Sequence, residues 1–306
     1  MVQINQGEFA SKIVEFHRNP DRFGDKAKEI ADTLVELYEE DPYHHQAMKG
    51  IRFRHNTKLA MILLDRAYNG LSRKVPIETY AKAIAQTMQD FATPFPEKEN
   101  LAYPHFLLHG IEEPTLERVV RKIKNNGRII HETLRVREQF KNKYKQKELD
   151  GLILDFDYGL ADDYFGITCF LASKEEKFPS GSYGYIAKGS FFLDKTNREI
   201  YVITVQGQKV RHKVDQNNKT IKDKERSGEY ARLAAKLGLD PRAFVLTQIC
   251  ELGKKENFQR IKVIKPEYHP MFIEKHEGFM GRYGPIIIQA GINEENGCYL
   301  ERDLRK

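Results

Sequence analysis

The sequence predicts an α+β protein, with a helical N-terminal domain followed by a mixed-sheet α/β C-terminal domain. In the first half, apolar residues recur at helical spacing between prolines. The second half opens on short β-rich runs, and its last third alternates strand, helix, strand and helix. The lysine-rich stretch before Asp150 separates the two patterns and predicts domains over residues 1–148 and 149–306.

Composition sets only broad limits on function. The 306-residue chain carries 40% hydrophobic and 31% charged residues, which is enough for a core beneath a well-solvated surface. A net charge of +6 permits an acidic partner without requiring one. No run of about 18 apolar residues occurs, so we expect no membrane span. The N-terminus lacks a signal-peptide pattern, and we expect a cytoplasmic protein, with signal-less secretion left open.

The three cysteines indicate a reducing compartment. They are far apart in the sequence and form no CxxC pair. Cys169 and Cys250 stand among apolar residues, which predicts buried free thiols.

Apolar stripes predict the helices of the first domain. The expected helices cover residues 9–16, 27–38, 59–71, 78–91 and 115–145. Asn125, Asn126 and Gly127 are expected to break the last of these into two.

That last helix concentrates cations that could follow a phosphate backbone. They are Arg118, Arg121, Lys122, Lys124, Arg128, Arg135, Arg137, Lys141, Lys143, Lys145 and Lys147. Aromatic residues among them are few, and no helix-turn-helix pattern is present. A solvated amphipathic helix is the favoured interpretation, and a noncatalytic module that binds nucleic acid or protein through residues 118–147 is the alternative function.

The second domain begins with predicted hairpins. GLILDFDY and YFGITCFLA flank a turn-prone segment, and two more strands flank the sequence DKTN. A basic stretch then contains a short helix over residues 228–237. Asp240 as N-cap and Pro241 at the first helical position predict the start of a longer helix. A strand over 260–265, a histidine-bearing helix and a short apolar strand over 285–291 complete the chain.

Acidic residues near the first hairpin resemble the first motif of haloacid-dehalogenase-type phosphatases. In that motif a strand ends in DxD beside Mg²⁺, as Asp155 and Asp157 do here. Gly159 replaces the usual Thr or Val, and no later acidic motif completes the metal site. A hairpin end is therefore favoured, and a divalent-metal site that adds Asp162 and Asp163 is the alternative.

Histidine pairs give no strong metal signal. The pairs are His44 with His45, His105 with His109, and His269 with His276. None has the acidic partner of a zinc-protease motif, so packed or surface histidines are favoured and no metal is predicted.

The free N–H groups at the start of the proline-led helix favour an anion. Gln206, Gly207, Gln208 and Lys209 leave the preceding strand, and Arg211 follows them. These residues and Arg242 are the predicted cofactor-binding group, and a charged surface loop is the alternative.

From about residue 190 to 304 the order of features resembles the VirK/YbjX-type bacterial proteins. The shared features are Val205-Gln206-Gly207, Ala234-Ala235, Leu237-Gly238 and Arg282-Tyr283. The family tends to carry a Trp near the last pair, and this chain has none. The resemblance implies a bacterial, virulence-associated protein.

The same order of elements resembles the core of GNAT-type N-acyltransferases. These enzymes hold the CoA pyrophosphate at a loop leading from a strand into a helix, which here begins at Gln206. The resemblance implies acetyl-CoA or another acyl-CoA as cofactor and a small-molecule or protein amine as substrate. Such chemistry requires a general base, for which His269, Glu267 and Glu277 are candidates, and an acid for the leaving thiolate, for which Tyr283 is a candidate.

Overall fold

A computed structural model describes residues 6–19, 29, 75–91, 115–144, 146–149, 151–158, 166–177, 183–207, 210–214, 220–225, 227–266 and 276–306. Helices and a mixed eight-stranded sheet confirm the α+β class. Contacts divide the chain into a unit of Met1–Arg128 with Tyr268–Lys275, and a unit of Ile129–Glu267 with His276–Lys306. The boundary near residue 148 stays a prediction.

The described part of the first unit contains two whole helices, both predicted, and the first half of a third. Helix α1 covers Gln6–Arg18 and helix α2 covers Ile77–Phe91. Phe9 and Ile13 of α1 and Tyr80 of α2 are buried, as their helical spacing indicates. The helices predicted over residues 27–38 and 59–71 lie outside the described residues.

Helix α3 covers Leu116–Lys143 without interruption, so the predicted break at Asn125-Asn126-Gly127 is wrong. Glycine inside a helix costs only about 1 kcal/mol relative to alanine. Asn126 is buried, and the Asn125 amide oxygen accepts a 2.9 Å hydrogen bond from Arg128. Packing along the helix therefore outweighs the local turn preference.

The second unit is built on one mixed sheet. Its strands are β1 (Lys147–Leu149), β2 (Leu152–Tyr158), β3 (Ile167–Lys177), β4 (Tyr183–Asp194), β5 (Glu199–Gly207), β8 (Arg260–Ile264), β9 (Glu294–Asn296) and β10 (Tyr299–Asp303). They lie in the order β1-β2-β3-β4-β5-β8-β10-β9. The β5–β8 pair is parallel and the other pairs are antiparallel. Both predicted hairpins, β2–β3 and β4–β5, are confirmed.

The connection from β5 to β8 holds a hairpin and two helices. Strands β6 (Val210–Val214) and β7 (Thr220–Glu225) form a separate two-stranded sheet where the sequence predicts a basic loop. Helices α4 (Ser227–Leu237) and α5 (Pro241–Lys255) follow. Both helices match the predicted positions, whereas the hairpin was missed because polar residues dominate its strands.

Helix α5 packs its apolar side chains against the sheet. Val245, Leu246 and Ile249 are fully buried. Gly189 of β4 permits this approach, because a Cβ there would lie 3.1 Å from Ile249 Cδ1 and 3.2 Å from Val245 Cγ1. The described cysteines Cys169, Cys250 and Cys298 are free and buried, which confirms the predicted buried thiols for the first two.

The last helix, α6, covers His276–Gln289, so the predicted strand over Pro285–Gly291 is wrong. Ile286 and Ile287 are buried in the core, and this burial outweighs the strand preference of the isoleucine run. Gly291 at φ +74° ends the helix, with its N–H bonded to the Ile288 carbonyl at 2.8 Å.

The second half of α3 is hydrogen-bonded to the β4–β5 turn. The Thr133 hydroxyl donates to the Ile129 carbonyl at 2.9 Å and accepts from the Leu193 N–H at 2.8 Å. The Glu132 carboxylate accepts from the Lys195 N–H at 2.7 Å. These bonds give the Leu193 and Lys195 N–H groups hydrogen-bond acceptors from α3.

The first prediction concerns the buried Thr133 bond. Thr133→Val should lower the free energy of unfolding by about 1–3 kcal/mol, because the buried Leu193 N–H loses its acceptor. Thr133→Ser keeps the hydroxyl and should lower the free energy of unfolding by clearly less. Urea denaturation of both variants measures this, and equal losses would show that the hydroxyl contributes little.

No helix in the described ranges is long and apolar enough to cross a membrane.

Candidate functional site

The parallel ladder between β5 and β8 is shorter than β5 itself. It runs from the Glu199–Arg260 pair to the Val202–Val263 pair. Strand β5 continues to Gly207, and that stretch pairs with β4 on its other side. Among the described strands, none pairs with residues 203–207 on the side facing β8. Ile203, Thr204 and Val205 are buried, Gln206 is half-buried and Gly207 is exposed, so the accessible backbone groups of this edge lie at its carboxyl end.

The amino end of α5 lies beside the carboxyl end of β5. A Cβ at Gly207 would lie 3.1 Å from Arg242 Cδ and 2.8 Å from the Tyr230 hydroxyl oxygen. A larger residue would displace one of these side chains. Gly207 therefore leaves room for the Tyr230 and Arg242 side chains at the strand end.

Asp240 begins α5 as the sequence predicts. Its side chain accepts from the Arg242 N–H at 2.8 Å, and Pro241 occupies the first turn. The Arg242 side chain also donates to both Asp240 oxygens, from Nε at 2.9 Å and from Nη2 at 2.8 Å. This paired geometry orients the guanidinium across the helix start.

Tyr230 of α4 completes this cluster. Its hydroxyl donates to Asp240 Oδ1 at 2.9 Å, and the Arg242 guanidinium lies 5.9 Å from the ring centre. Burial raises the pKa of Tyr230, so the phenol keeps its proton at neutral pH. Burial opposes ionisation of Asp240 too, but the bonds from Arg242 and Tyr230 outweigh it and lower the pKa of the carboxyl.

Helix α6 reaches the same edge of the sheet. The Gln289 side-chain oxygen accepts from the Asp240 N–H at 3.1 Å. A Cβ at Gly284 would lie 3.7 Å from Pro266, two residues beyond the end of β8. Tyr283 precedes Gly284 and is buried. The start of α5 thus lies beside the end of β5, and α6 contacts both that helix start and Pro266 after β8.

The structure brings part of the predicted site together. Gly207 and Arg242 are in close contact, and Gln206 is half-buried opposite Lys188 of β4. Tyr283 lies in the helix whose far end contacts Asp240.

The remaining predicted residues stay untested. Glu267, His269, Gln208 and Lys209 lie outside the described residues. For Arg211 and Glu277 the structure gives the backbone position, in β6 and α6 respectively, but the side chains lie outside the description.

Sequence reasoning missed Tyr230 and Gln289. Tyr230 stands in a polar helix ten residues before Asp240, and nothing local indicates that the chain folds back between them. Gln289 ends an apolar run that was predicted as a strand. Only the tertiary packing of α4 and α6 against α5 reveals either residue.

The metal alternatives receive no support from the described part of the chain, where no group of three His, Cys, Asp or Glu side chains could hold an ion. Asp155 Oδ1 accepts from the Phe156 N–H at 2.8 Å. Asp162, Asp163 and the predicted histidine pairs fall partly or wholly outside the described side chains, so these alternatives stay untested.

The basic helix α3 is exposed at many of its predicted cations. Arg118, Lys124 and Arg135 are exposed, and Arg121 is exposed while pairing with Glu117 at 2.7 Å. Such surface pairs contribute little to stability, and exposed cations are typical of solvated helices. Nucleic-acid binding through this helix stays a prediction.

The chain matches no protein-family model, no curated protein and no solved structure. The VirK/YbjX and GNAT resemblances therefore stay predictions from the sequence.

The second prediction separates two roles of Asp240. Asp240→Ala should lower the free energy of unfolding by about 1–2 kcal/mol at pH 7, through loss of the helix cap. Asp240→Asn keeps a good helix cap and loses only the charge pair with Arg242. It should therefore lower the free energy of unfolding by less than Asp240→Ala.

The pH dependence of that difference is set by the lowered pKa of Asp240. The stability that the charged Asp240 contributes is complete above its ordinary pKa of 3.8. It is lost as the pH falls through the lower pKa that Asp240 has in the folded protein. The difference in free energy of unfolding between wild type and Asp240→Asn should become smaller below about pH 4. Urea titrations from pH 7 to pH 3 measure it, and a constant gap would contradict the charge-pair role.

Proposed function

We propose that the second unit binds an acyl-CoA and transfers its acyl group to an amine. The observation that carries this proposal is the end of β5 at residues 203–207, which pairs with none of the described strands on the β8 side and lies beside the amino end of α5. In sheets with parallel strands, ligands bind at the carboxyl ends, where neighbouring strands leave a crevice.

The pantetheine arm of CoA suits an open strand edge. It is an extended chain with two amides, and an extended amide chain can bond to a free strand edge as an added strand would. The five residues span about 17 Å, and their accessible end, at Gln206 and Gly207, is where such bonds would begin. This supports binding through the backbone, for which no side-chain motif is needed.

The pyrophosphate of the same ligand suits the start of α5. Free N–H groups and the helix dipole favour an anion there. Asp240 takes part of this role by capping the Arg242 N–H, so the ligand needs further cations. Lys209 and Arg211, which follow the end of β5 in the chain, are the proposed source.

The proposed chemistry is transfer from sulfur to nitrogen. The amine nitrogen attacks the thioester carbonyl, an N–C bond forms and the C–S bond breaks. A base, proposed as His269, Glu267 or Glu277, takes the amine proton. The Tyr283 hydroxyl gives a proton to the departing CoA thiolate.

The third prediction tests binding by thermal unfolding of the full chain. Acetyl-CoA at a hundred times its Kd should stabilise the protein by about 2.7 kcal/mol, a rise in unfolding temperature of about 4 °C for a chain of 306 residues that unfolds as one. The rise should disappear in the double variant Lys209→Glu, Arg211→Glu.

The matched control reverses the same number of charges elsewhere. Lys147→Glu with Lys255→Glu changes two exposed lysines in β1 and α5 and should keep the rise. If acetyl-CoA does not raise the unfolding temperature of the wild type, the proposal is overturned. A salt-sensitive response to mixed-sequence RNA or DNA alone would favour the basic-helix alternative.

The fourth prediction tests the role of Tyr283 in wild-type and variant enzyme. Tyr283→Phe should lower kcat by about 10²-fold or more, because general-acid catalysis contributes about 10²–10⁴-fold. The Kd for acetyl-CoA should change little, since the ring is retained. Release of CoA thiol over a panel of amines measures turnover, and unchanged kcat would remove Tyr283 from the mechanism.

A further inference from the structure

A cavity of about 380 Å³ lies at the opposite end of β5 from Gly207. Its lining residues are Val136, Gln139, Phe140, Lys143, Lys195, Arg198, Glu256, Asn257 and Phe258. They come from the second half of α3, the β4–β5 turn and the end of α5, all within the second unit. The volume is at the lower end of the range for small-molecule sites, about 300–1,000 Å³.

The cavity has an apolar floor and a cationic rim. Val136, Phe140 and Phe258 are buried, whereas Lys195 and Arg198 are exposed. Neither of these two cations forms a salt bridge with any residue that the structure describes. An apolar surface bordered by cations that form no salt bridge is suited to an amphipathic anion.

Glu256, the one carboxylate among the lining residues, already has hydrogen-bond donors. Glu256 accepts from Lys143 Nζ at 2.5 Å and from the Tyr144 hydroxyl. Partial burial opposes its ionisation, but these two bonds outweigh burial and lower the pKa of Glu256. It is charged at neutral pH, and Lys195 also helps to lower its pKa. The charged residues of the lining, Lys143, Lys195, Arg198 and Glu256, together keep a net formal charge of +2.

The backbone at this cavity is unusual in one respect. Arg198 at φ +54° and Asn257 at φ +61° are the non-glycine residues with left-handed φ in the described part of the chain, and both line the cavity. Arg198 ends the β4–β5 turn, a position where glycine is favoured. Its carbonyl accepts from the Gln259 N–H at 2.8 Å, which holds the conformation. The turn thus places a guanidinium at the rim at the expense of local backbone preference.

Helix ends set the charge that a ligand should carry. Helices α3 and α5 both end at this cavity, with Lys143 and Glu256 in its lining. Each carboxyl-terminal helix end presents roughly half a negative charge. These two ends, and the Glu132 carboxylate that accepts from the Lys195 N–H, offset much of the net charge of +2, so the site favours a monoanion over a dianion.

We propose that this cavity binds a monocarboxylate with an apolar body, such as a medium-chain fatty acid or an aromatic acid. The carboxylate bonds to Arg198 and Lys195, and the apolar body covers Phe140 and Phe258. This site is separate from the proposed acyl-CoA site at the carboxyl ends of β5 and β8, and it does not depend on acyl transfer there.

The fifth prediction uses isothermal titration calorimetry of the full chain with octanoate and 2-naphthoate. At least one should bind saturably with a stoichiometry of one. Octanamide, which has the same length and no charge, should bind at least tenfold more weakly than octanoate. Octyl phosphate, with its second charge, should bind no more tightly than octanoate.

The variant Arg198→Gly removes the cation and relaxes the backbone. It should weaken binding at least tenfold while the unfolding temperature stays equal or rises, because glycine adopts this φ without strain. Lys255→Gln, an exposed charge on α5 outside the lining, should bind within twofold of wild type.

Several outcomes would overturn the proposal. These are no saturable binding of either acid, equal binding of octanamide and octanoate, tighter binding of octyl phosphate, or unchanged affinity in Arg198→Gly. Because Arg198→Gly is expected to keep its unfolding temperature, loss of binding cannot be attributed to a failure to fold.

Discussion

Strands β5 and β8 run parallel over four residue pairs, and this short ladder determines the layout of the second unit. Parallel neighbours cannot be joined by a tight turn, so the chain must cross over the sheet through helices. Helix α5 makes that crossover, and its amino end therefore returns beside the carboxyl end of β5. The opposite end of α5 reaches the β4–β5 turn, so the cavity there arises from the same crossover.

The amino end of the ladder is held by a buried carboxylate. Glu199 bonds to Lys262 at 2.8 Å, to the Tyr201 hydroxyl at 2.7 Å and to Arg260 at 3.2 Å. Burying this charge would be costly without partners on both oxygens, and here donors from two strands satisfy it. The cluster fixes the pairing of β5 with β8 at the end where the ladder begins. The other end, where no such cluster is described, is where the strands stop pairing.

Local signals predicted those elements whose start or periodicity is encoded in a few neighbouring residues. The Asp240-Pro241 cap predicted the start of α5, and β-rich runs around turn-prone segments predicted the β2–β3 and β4–β5 hairpins. Where burial competes with propensity, the sequence was misleading. Gly127 lies inside a continuous helix, and Ile286 is helical, because tertiary packing outweighs about 1 kcal/mol of local preference in each case.

The candidate site was only partly predictable for the same reason. Gly207 and Arg242 were found from their position near a strand end and a helix start. The contribution of Tyr230 depends on how α4 folds back onto α5, and that of Arg198 on a left-handed turn, and neither has a local signature.

Hydrogen–deuterium exchange of the full chain, with and without acetyl-CoA, tests the central claim most directly. The amides of residues 203–207 should become protected on binding, because the ligand would bond to the strand edge that β8 leaves open. Protection should extend to the first turn of α5 and leave the β4–β5 turn unchanged. Unchanged exchange at residues 203–207 at saturating acetyl-CoA would contradict the account.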